Sequence, residues 1–198
     1  GYIQKEYKKR NSMEKGFSRR DISTPELKLD KFQQIPCYER DNEHYINPES
    51  EGWEYRYYKT LFNCEPTTER VRQICLNYFE GLEWTLKYYQ NSCADWNWVY
   101  KYQYPPLLRD LLKHIPSFDT TFIHPNKNKP INPITQLCYV LPRNCLSLLP
   151  YRIYQKLQKK YQHLYPESCN FEWSYCKYFW ECHALLPEIS IAEIEQII

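Results

Sequence analysis

The stretch from Cys64 to Asn91 carries the strongest structural signal in the chain, because its apolar residues recur on one side at helical spacing. Thr67 or Thr68 can cap the N-terminus of a helix, and Glu69 suits its first turn. The apolar stripe comprises Val71, Ile74, Cys75, Tyr78, Phe79, Leu82, Leu86 and Tyr89. We expect a helix that ends near Asn91 and buries this whole stripe.

Shorter helical segments surround this one, and most of them are bounded by prolines. "WEYRYYKTLF" (53–62) has apolar residues at i, i+4 and i+8, and "PPLLRDLLKHI" (105–115) is expected to place proline in the first turn of a helix. Further helices are expected within 133–142, 149–166 and 189–198. The prolines of 116–133 exclude regular structure there, and 169–188 is the one region where we expect a strand. The sequence therefore predicts a mainly α fold, an irregular helical lobe with long Pro-rich loops and little strand.

Composition divides the chain at residue 52. Residues 1–52 are polar and punctuated by Pro and Asn, so we interpret them as a linker or arm, partly extended and with room for one short helix. Residues 53–198 form the predicted helical domain. The arm carries a basic cluster that either contacts phosphate or is a solvated surface: Lys8, Lys9, Arg10, Arg19 and Arg20.

The charge and cysteine content exclude several classes of function. The 26 Lys and Arg nearly balance the 24 Asp and Glu, so the net charge of +2 provides no strong field for non-specific polyanion binding. The nine cysteines contain no C-x-x-C pair, so we predict no zinc site. With no signal peptide and no transmembrane run, we expect free thiols in a reducing intracellular compartment, cytoplasmic or nuclear. A virion-associated location is the alternative.

Candidate catalytic residues are few and scattered. Cys182 and His183 are neighbours, and on a strand they would point to opposite faces, which disfavours a nucleophile–base pair. His114 and His124 flank a loop, where capping or surface roles compete with metal ligation. Because no acidic cluster is present, we predict no catalytic and no metal-binding residue in this chain, which alone should be inactive.

An unusually aromatic stretch, "YYQNSCADWNWVYKYQYPP", occupies residues 88–106. The rings could fill a core, stack on nucleic-acid bases or bind a protein partner. The tyrosine rings are expected to pack against other side chains while their hydroxyls contact water. Trp96 and Trp98 are two residues apart, so in an extended loop one would face inward while the other remained free. Burial of both rings is the alternative.

Four motifs resemble the second conserved region of the XRN/Rat-type 5′→3′ exoribonucleases, in family order over residues 53–198. They are "WEYRYYKTLFN", "YFEGLEWTLKYYQNSCADWNWVYKYQYPPLLRDL", "PINPITQLCYVLPRNCLSLLP" and "FWECHALLPEI". The chain departs from the family pattern at Asp95, Gln103 and Cys182. Such departures indicate a divergent member, with a viral source as one possibility.

The resemblance implies a function in handling RNA. Family members hydrolyse RNA with two divalent metals, so the resemblance implies that Mg²⁺ would bind in an α/β (PIN/FEN-like) nuclease lobe that this chain lacks. Asp95 or Asp110 could at most contact the ligands of that metal site or have a structural role. The partners implied are that N-terminal lobe, in the same or a separate chain, and single-stranded 5′-monophosphate RNA. Trp96, or else Trp98, would stack on a base near the RNA 5′ end. A non-catalytic binding or structural module in a larger, possibly viral, assembly is the alternative reading.

Overall fold

The computed structural model describes residue 8 and residues 40–90, 92–176 and 178–198. Its α-helices are α1 Asp41–Ile46, α2 Trp53–Leu61, α3 Thr68–Gln90, α4 Leu108–His114, α5 Pro133–Val140, α6 Tyr151–Lys160 and α7 Ile191–Glu195. Short 3₁₀ helices span Arg143–Leu148, Gln162–Leu164 and Phe179–Glu181, and β1 Asn170–Glu172 pairs with β2 His183–Leu185. The mainly α prediction is confirmed for the part of the chain described.

The chain forms two compact units. The first comprises residues up to 92 together with 99–124 and 173–183, and the second comprises 93–98, 125–172 and 184–198. Each unit has its own apolar core, and each core brings together segments that are distant in the sequence. The sequence-based division at residue 52 stays a prediction, although Ile46 of α1 is fully buried in the first core.

A polar network fastens α1 within the first unit. The buried Arg40 guanidinium donates to the Glu43 carboxylate at 2.7 Å, and the other oxygen of Glu43 accepts the Tyr175 amide at 2.8 Å. Arg56 of α2 donates to the carbonyls of Ile46 and Glu51. The buried charges are thereby paired and hydrogen-bonded, as burial requires. The short helix that composition allowed within residues 1–52 is therefore held by contacts to distant residues.

Tyrosine hydroxyls join α2 to the start of α4. The Tyr58 hydroxyl donates to the buried Asp110 carboxylate at 3.0 Å and accepts the Leu107 amide at 3.1 Å. The Tyr57 hydroxyl donates to the Pro105 carbonyl at 2.8 Å. Burial raises the pKa of both phenols, since it disfavours the charged form. The expectation that proline lies in the first turn of this helix is wrong, because Leu107 caps α4 and both prolines precede it.

The long helix α3 begins where the sequence predicts, but it buries the predicted stripe only in its N-terminal half. Thr67 accepts the Arg70 amide through its side chain at 3.2 Å, which identifies Thr67 as the cap. Ile74 and Cys75 are buried as predicted, and burial followed by the Asp110 charge raises the pKa of the Cys75 thiol to about 11. The predicted burial of the C-terminal half is wrong, because three stripe residues are exposed: Leu82, Leu86 and Tyr89.

Polar contacts explain why the C-terminal half of α3 turns its stripe outward. Glu83 accepts the backbone amides of Phe122 and Ile123 at 2.6 and 3.2 Å, and Lys87 donates to the Ile123 carbonyl at 2.8 Å. Desolvation raises the pKa of Glu83, but its hydrogen bonds from Lys87 and these amides outweigh it and lower the pKa overall. Phe79 packs on Phe122 with ring centroids 5.2 Å apart. The face through 79, 83 and 87 is therefore the one that packs.

The second unit is built around α6. Ile153 and Leu157 of this helix are buried against α5 and α7, with Cys138, Leu146 and Ile194 in the same core. The helices flanking it are capped by side chains, since Asn132 accepts the Ile134 amide and Ser190 accepts the Glu193 amide. The Tyr165 hydroxyl donates to the Cys138 carbonyl at 2.8 Å, and burial raises its pKa to about 12. One face of α6 is thus fixed inward and its lysines face solvent.

Replacement of Tyr58 by Phe tests the hydroxyl that joins α2 to α4. The change leaves the Asp110 carboxylate and the Leu107 amide without the hydroxyl, so we expect the free energy of unfolding to fall by about 1–3 kcal/mol. Urea unfolding followed by circular dichroism measures it. Tyr45→Phe is the matched control, because Tyr45 is 56% exposed. Equal stability of the two variants would contradict the importance of this hydroxyl.

Candidate nucleic-acid interface

The aromatic connector between α3 and α4 contains a tight turn over residues 95–98. The Trp98 amide points to the Asp95 carbonyl at 3.5 Å, and the Asn97 amide donates to the Asp95 carboxylate at 2.8 Å. An Asp side chain that accepts the amide two residues on is a common device for stabilising turns. The expectation of an extended loop is therefore wrong at this point, since the backbone reverses at Trp96 and Asn97.

A second loop, residues 125–130, secures this turn from the same unit. The Asn128 side chain accepts the Trp96 amide at 3.1 Å and donates to the Asp95 carboxylate. The Asn126 amide donates to the Ala94 carbonyl at 2.7 Å. The hydrogen bond from Asn128, followed by that from the Asn97 amide, lowers the pKa of Asp95, so this carboxylate stays ionised at neutral pH. Asp95 therefore has a structural role in holding the turn.

The two candidate tryptophans differ in exposure. Trp96 is 45% exposed, whereas Trp98 is half-buried. A backbone hydrogen bond at Trp96 fixes the main chain of that residue while leaving its ring at the surface. This arrangement suits stacking of the Trp96 ring on a planar ligand. RNA binding by Trp96 or Trp98 stays a prediction.

Two lysines that the sequence reasoning missed flank the residue that holds the turn. Lys127 and Lys129 stand on either side of Asn128 and are both exposed. An exposed aromatic ring beside cations is the combination that single-stranded nucleic-acid sites use, with the ring stacking on a base and the cations contacting phosphate. The Asn-Lys alternation of residues 126–129 was the available signal. Its relation to Trp96 could not be predicted because 32 residues separate Asn128 from Trp96.

The other candidate residues occupy structural positions. Asp110 belongs to the Tyr58 network of the first unit. The His183 ring packs on Tyr104 with centroids 5.0 Å apart, and burial, then the neighbouring Glu181 charge, raises the pKa of Cys182. A raised pKa disfavours the nucleophilic thiolate. His114 is half-buried and His124 is exposed.

Side chains that could ligate a metal do not converge within residues 40–90, 92–176 and 178–198. No group of three or more His, Cys, Asp or Glu in those ranges is placed to hold a metal ion. The eight cysteines that the structure describes are unbridged, and Cys37 lies outside them. Within residues 40–90, 92–176 and 178–198, no helix is both long and apolar enough to cross a bilayer.

The basic cluster of the arm lies outside the described residues except for Lys8. The Lys8 ammonium lies 3.1 Å from the Glu49 carboxylate, and both side chains are largely exposed. An exposed ion pair of this kind contributes little to stability. Phosphate binding by Lys9, Arg10, Arg19 and Arg20 stays a prediction.

The fold is mainly α, and the turn at Trp96 is its candidate surface for single-stranded nucleic acid. The sequence profile described as "Xrn1 helical domain" matches residues 3–195, which includes the N-terminal segment that no motif had aligned. The chain therefore belongs to the XRN family, as a helical middle region, and the resemblance seen in its motifs is confirmed.

Three relatives illustrate the similarity. The chain is 32% identical over 153 residues to 5′-3′ exoribonuclease 2 homolog of Drosophila melanogaster, a match that covers 75% of this chain and 16% of the relative. It is 35% identical over 141 residues to 5′-3′ exoribonuclease 2 of Gallus gallus (69% and 14%). It is 37% identical over 106 residues to 5′-3′ exoribonuclease 1 of Saccharomyces cerevisiae (52% and 7%). The chain thus spans about one-sixth or less of the length of these relatives.

Replacement of Asn128 by Ala tests how the Trp96 turn is held. Loss of the side-chain acceptor frees the Trp96 amide, so we expect its hydrogen exchange to accelerate by up to about tenfold, the effect of one ordinary hydrogen bond. Amide exchange measured by NMR reports it directly. The control is Asn144→Ala, an exposed asparagine of the same unit. Unchanged protection of Trp96 in Asn128→Ala would show that the turn is stable without this contact.

Proposed function

We propose that this chain is the helical region of a 5′→3′ exoribonuclease, that it borders the path of single-stranded RNA, and that Trp96 stacks on a base near the 5′ end. The observation that carries the proposal is the exposed Trp96 ring on a turn secured by Asp95 and Asn128. Membership of the XRN family supports the choice of RNA.

Stacking meets the physical needs of an enzyme that degrades RNA of any sequence. Every base has a π-face, so an aromatic ring binds all four, with about 1–3 kcal/mol for each base. A ring whose backbone is already fixed loses less conformational entropy on binding than a ring on a free loop. Asn128 and Asp95 provide this fixation for Trp96. Trp98, being half-buried, is better suited to support the turn from below.

Phosphate contacts would complete this site. Lys127 and Lys129 lie on the loop whose Asn128 contacts the turn, so their ammonium groups can reach phosphates on either side of a stacked base. Such contacts are independent of base identity. The site therefore holds the strand in position without reading its sequence.

Hydrolysis would take place outside this chain. A two-metal site needs several carboxylates around both ions, and the described residues provide no such cluster, so they do not fit a Mg²⁺ pair. We place the metals in a nuclease lobe, in the same polypeptide or in a separate chain, that acts on 5′-monophosphate RNA. No catalytic step is assigned to residues of this chain.

A second function is favoured by the exposed face of α3. Leu82 and Leu86 are more than half exposed and Tyr89 is 82% exposed, and their spacing puts the three side chains on one face of the helix, an apolar surface suited to protein contact. A non-catalytic module of a larger assembly would use such a surface. In that case no nuclease lobe would accompany the chain, and the aromatic turn would contact protein.

Nuclease activity should require the missing lobe. We expect no Mg²⁺-dependent loss of 5′-monophosphorylated RNA with the 198-residue chain alone, and degradation when the nuclease lobe is present in the same polypeptide or added. A denaturing gel of end-labelled RNA measures both. Degradation by the chain alone would overturn the assignment of the metal site. Inactivity with the lobe present would favour the non-catalytic module.

Replacement of Trp96 by Ala should weaken RNA handling in the complete enzyme. Loss of one stacked base lowers affinity by roughly five- to 150-fold, so we expect the rate at limiting single-stranded RNA to fall about tenfold or more while the domain remains folded. Trp96→Phe should retain most of the rate because it keeps a ring. Trp180→Ala, an exposed tryptophan on the first unit, is the control. A larger loss in Trp98→Ala would move the stacking role to Trp98.

A further inference from the structure

Positive charge is concentrated in one part of this nearly neutral chain. Residues 120–166 contain no Asp or Glu and seven Lys or Arg, whereas the rest of the chain holds the other 19 basic residues and all 24 acidic residues. The seven are Lys127, Lys129, Arg143, Arg152, Lys156, Lys159 and Lys160. A segment of 47 residues without a carboxylate can produce a local field that the net charge conceals.

The second unit gathers four of these basic residues around two neighbouring clefts. A cleft of about 490 Å³ is lined by Arg143, Lys159, Lys160, Gln162, His163 and Pro166, so none of the described residues that line it carries a carboxylate. The adjoining cleft, about 330 Å³, is lined by Lys156, Lys159, Lys160, Tyr161, Gln196 and Ile197. Lys159 and Lys160 belong to both. The two clefts therefore form one basic surface, which we call the α6 basic surface.

Packing of α6 fixes the direction in which these cations point. Ile153 and Leu157 are buried and anchor the helix, whereas Lys156, Lys159 and Lys160, in its last two turns, are exposed. The helix ends at Lys160, and the following 3₁₀ turn carries His163 to the rim of the first cleft. Tyr165 anchors that turn through its buried hydrogen bond to Cys138.

Local contacts hold individual cations in place. The Lys160 ammonium lies 5.4 Å from the centroid of the Tyr161 ring, and Lys156 donates to the Ile197 carbonyl at 2.8 Å. Arg143 pairs with Glu167 at 3.3 Å, but Glu167 is 79% exposed, so this pair is weak and an anion can replace it. Cations near a helix C-terminus are favoured by the helix dipole, which explains the positions of Lys159 and Lys160 only. It does not explain Arg143 and His163, which come from other elements.

We propose that the α6 basic surface is a phosphate-binding site for single-stranded RNA, separate from the stacking turn at Trp96. Its ligand is the phosphodiester group: Arg143 offers a planar fork for phosphate oxygens, and the lysines act as point charges. The two clefts share their lysines, so successive phosphates of one strand can occupy them. The choice of RNA rests on the proposed function; the anion-binding chemistry does not.

Charge reversal of the shared lysines tests this site without any need for catalysis. The 198-residue chain is titrated against fluorescein-labelled single-stranded RNA at several KCl concentrations, with anisotropy as the readout. We expect Lys159→Glu/Lys160→Glu to weaken binding at least tenfold at low salt. The slope of log K against log salt should fall by about 1.4, since each lost phosphate contact on a single strand contributes about 0.7.

A matched control separates a local site from the effect of total charge. Arg70→Glu/Arg72→Glu changes the net charge by the same amount on exposed positions of the first unit. We expect binding close to that of the unmodified chain, and an equal loss in this control would overturn the proposal. Lys159→Gln/Lys160→Gln repeats the test with neutral side chains if circular dichroism shows that reversal unfolds the last turn of α6.

Competitors identify the source of the phosphate. At constant ionic strength, excess unlabelled RNA should displace the probe, while inorganic phosphate and poly-glutamate at equal charge should not. Displacement by inorganic phosphate at equal charge would assign the surface to a free anion, and displacement by poly-glutamate to an acidic protein; either would overturn the proposal. Trp96→Ala in the same assay distinguishes base stacking at Trp96 from phosphate binding at the α6 basic surface, because it should lower the affinity for RNA and leave the salt slope unchanged.

Discussion

Buried tyrosine hydroxyls must find hydrogen-bond acceptors, and this requirement organises both units of the protein. Among the described residues, four tyrosines are buried within a largely aliphatic core: Tyr57, Tyr58, Tyr104 and Tyr165. Tyr58 joins α2 to α4 through Asp110 and Leu107, and Tyr165 joins the end of α6 to α5 through Cys138. Each hydroxyl has a direction, so these contacts fix the orientation of neighbouring helices more tightly than apolar burial alone.

Polar side chains do similar work at the candidate RNA surface. Asp95 and Asn128 hold the turn at Trp96, so the most exposed ring of the connector stands on one of its most constrained segments. The α6 basic surface likewise rests on a buried anchor, because Ile153 and Leu157 fix α6 in the core of the second unit. Rigid backbone beneath an exposed ring or cation lowers the entropic cost of binding. The two surfaces would then divide the strand between base stacking and phosphate contact.

Sequence reasoning succeeded where the signal is local and failed where partners are distant. The helical period predicted α2, α3 and α6, and four motifs identified the family. The same period predicted burial of Leu82 and Leu86, and this was wrong because Glu83 and Lys87 bind the backbone of Phe122 and Ile123 instead. The net charge of +2 excluded a strong overall field but could not locate a local basic surface, because summing charges over the chain hides a segment without carboxylates.

The sequence by itself determined the main helices, the cap of α3 and the family, because periodicity and capping residues act within a few positions of the chain. Only the tertiary structure decided which face of α3 is buried, how the turn at Trp96 is held, and where the cations of α6 meet Arg143. Each of these depends on residues at least 16 positions apart in the chain, such as Asn128, which binds the Trp96 amide, and Arg143, which lines one cleft together with Lys159. Local patterns carry no record of such pairings, since the chain must fold before the partners meet.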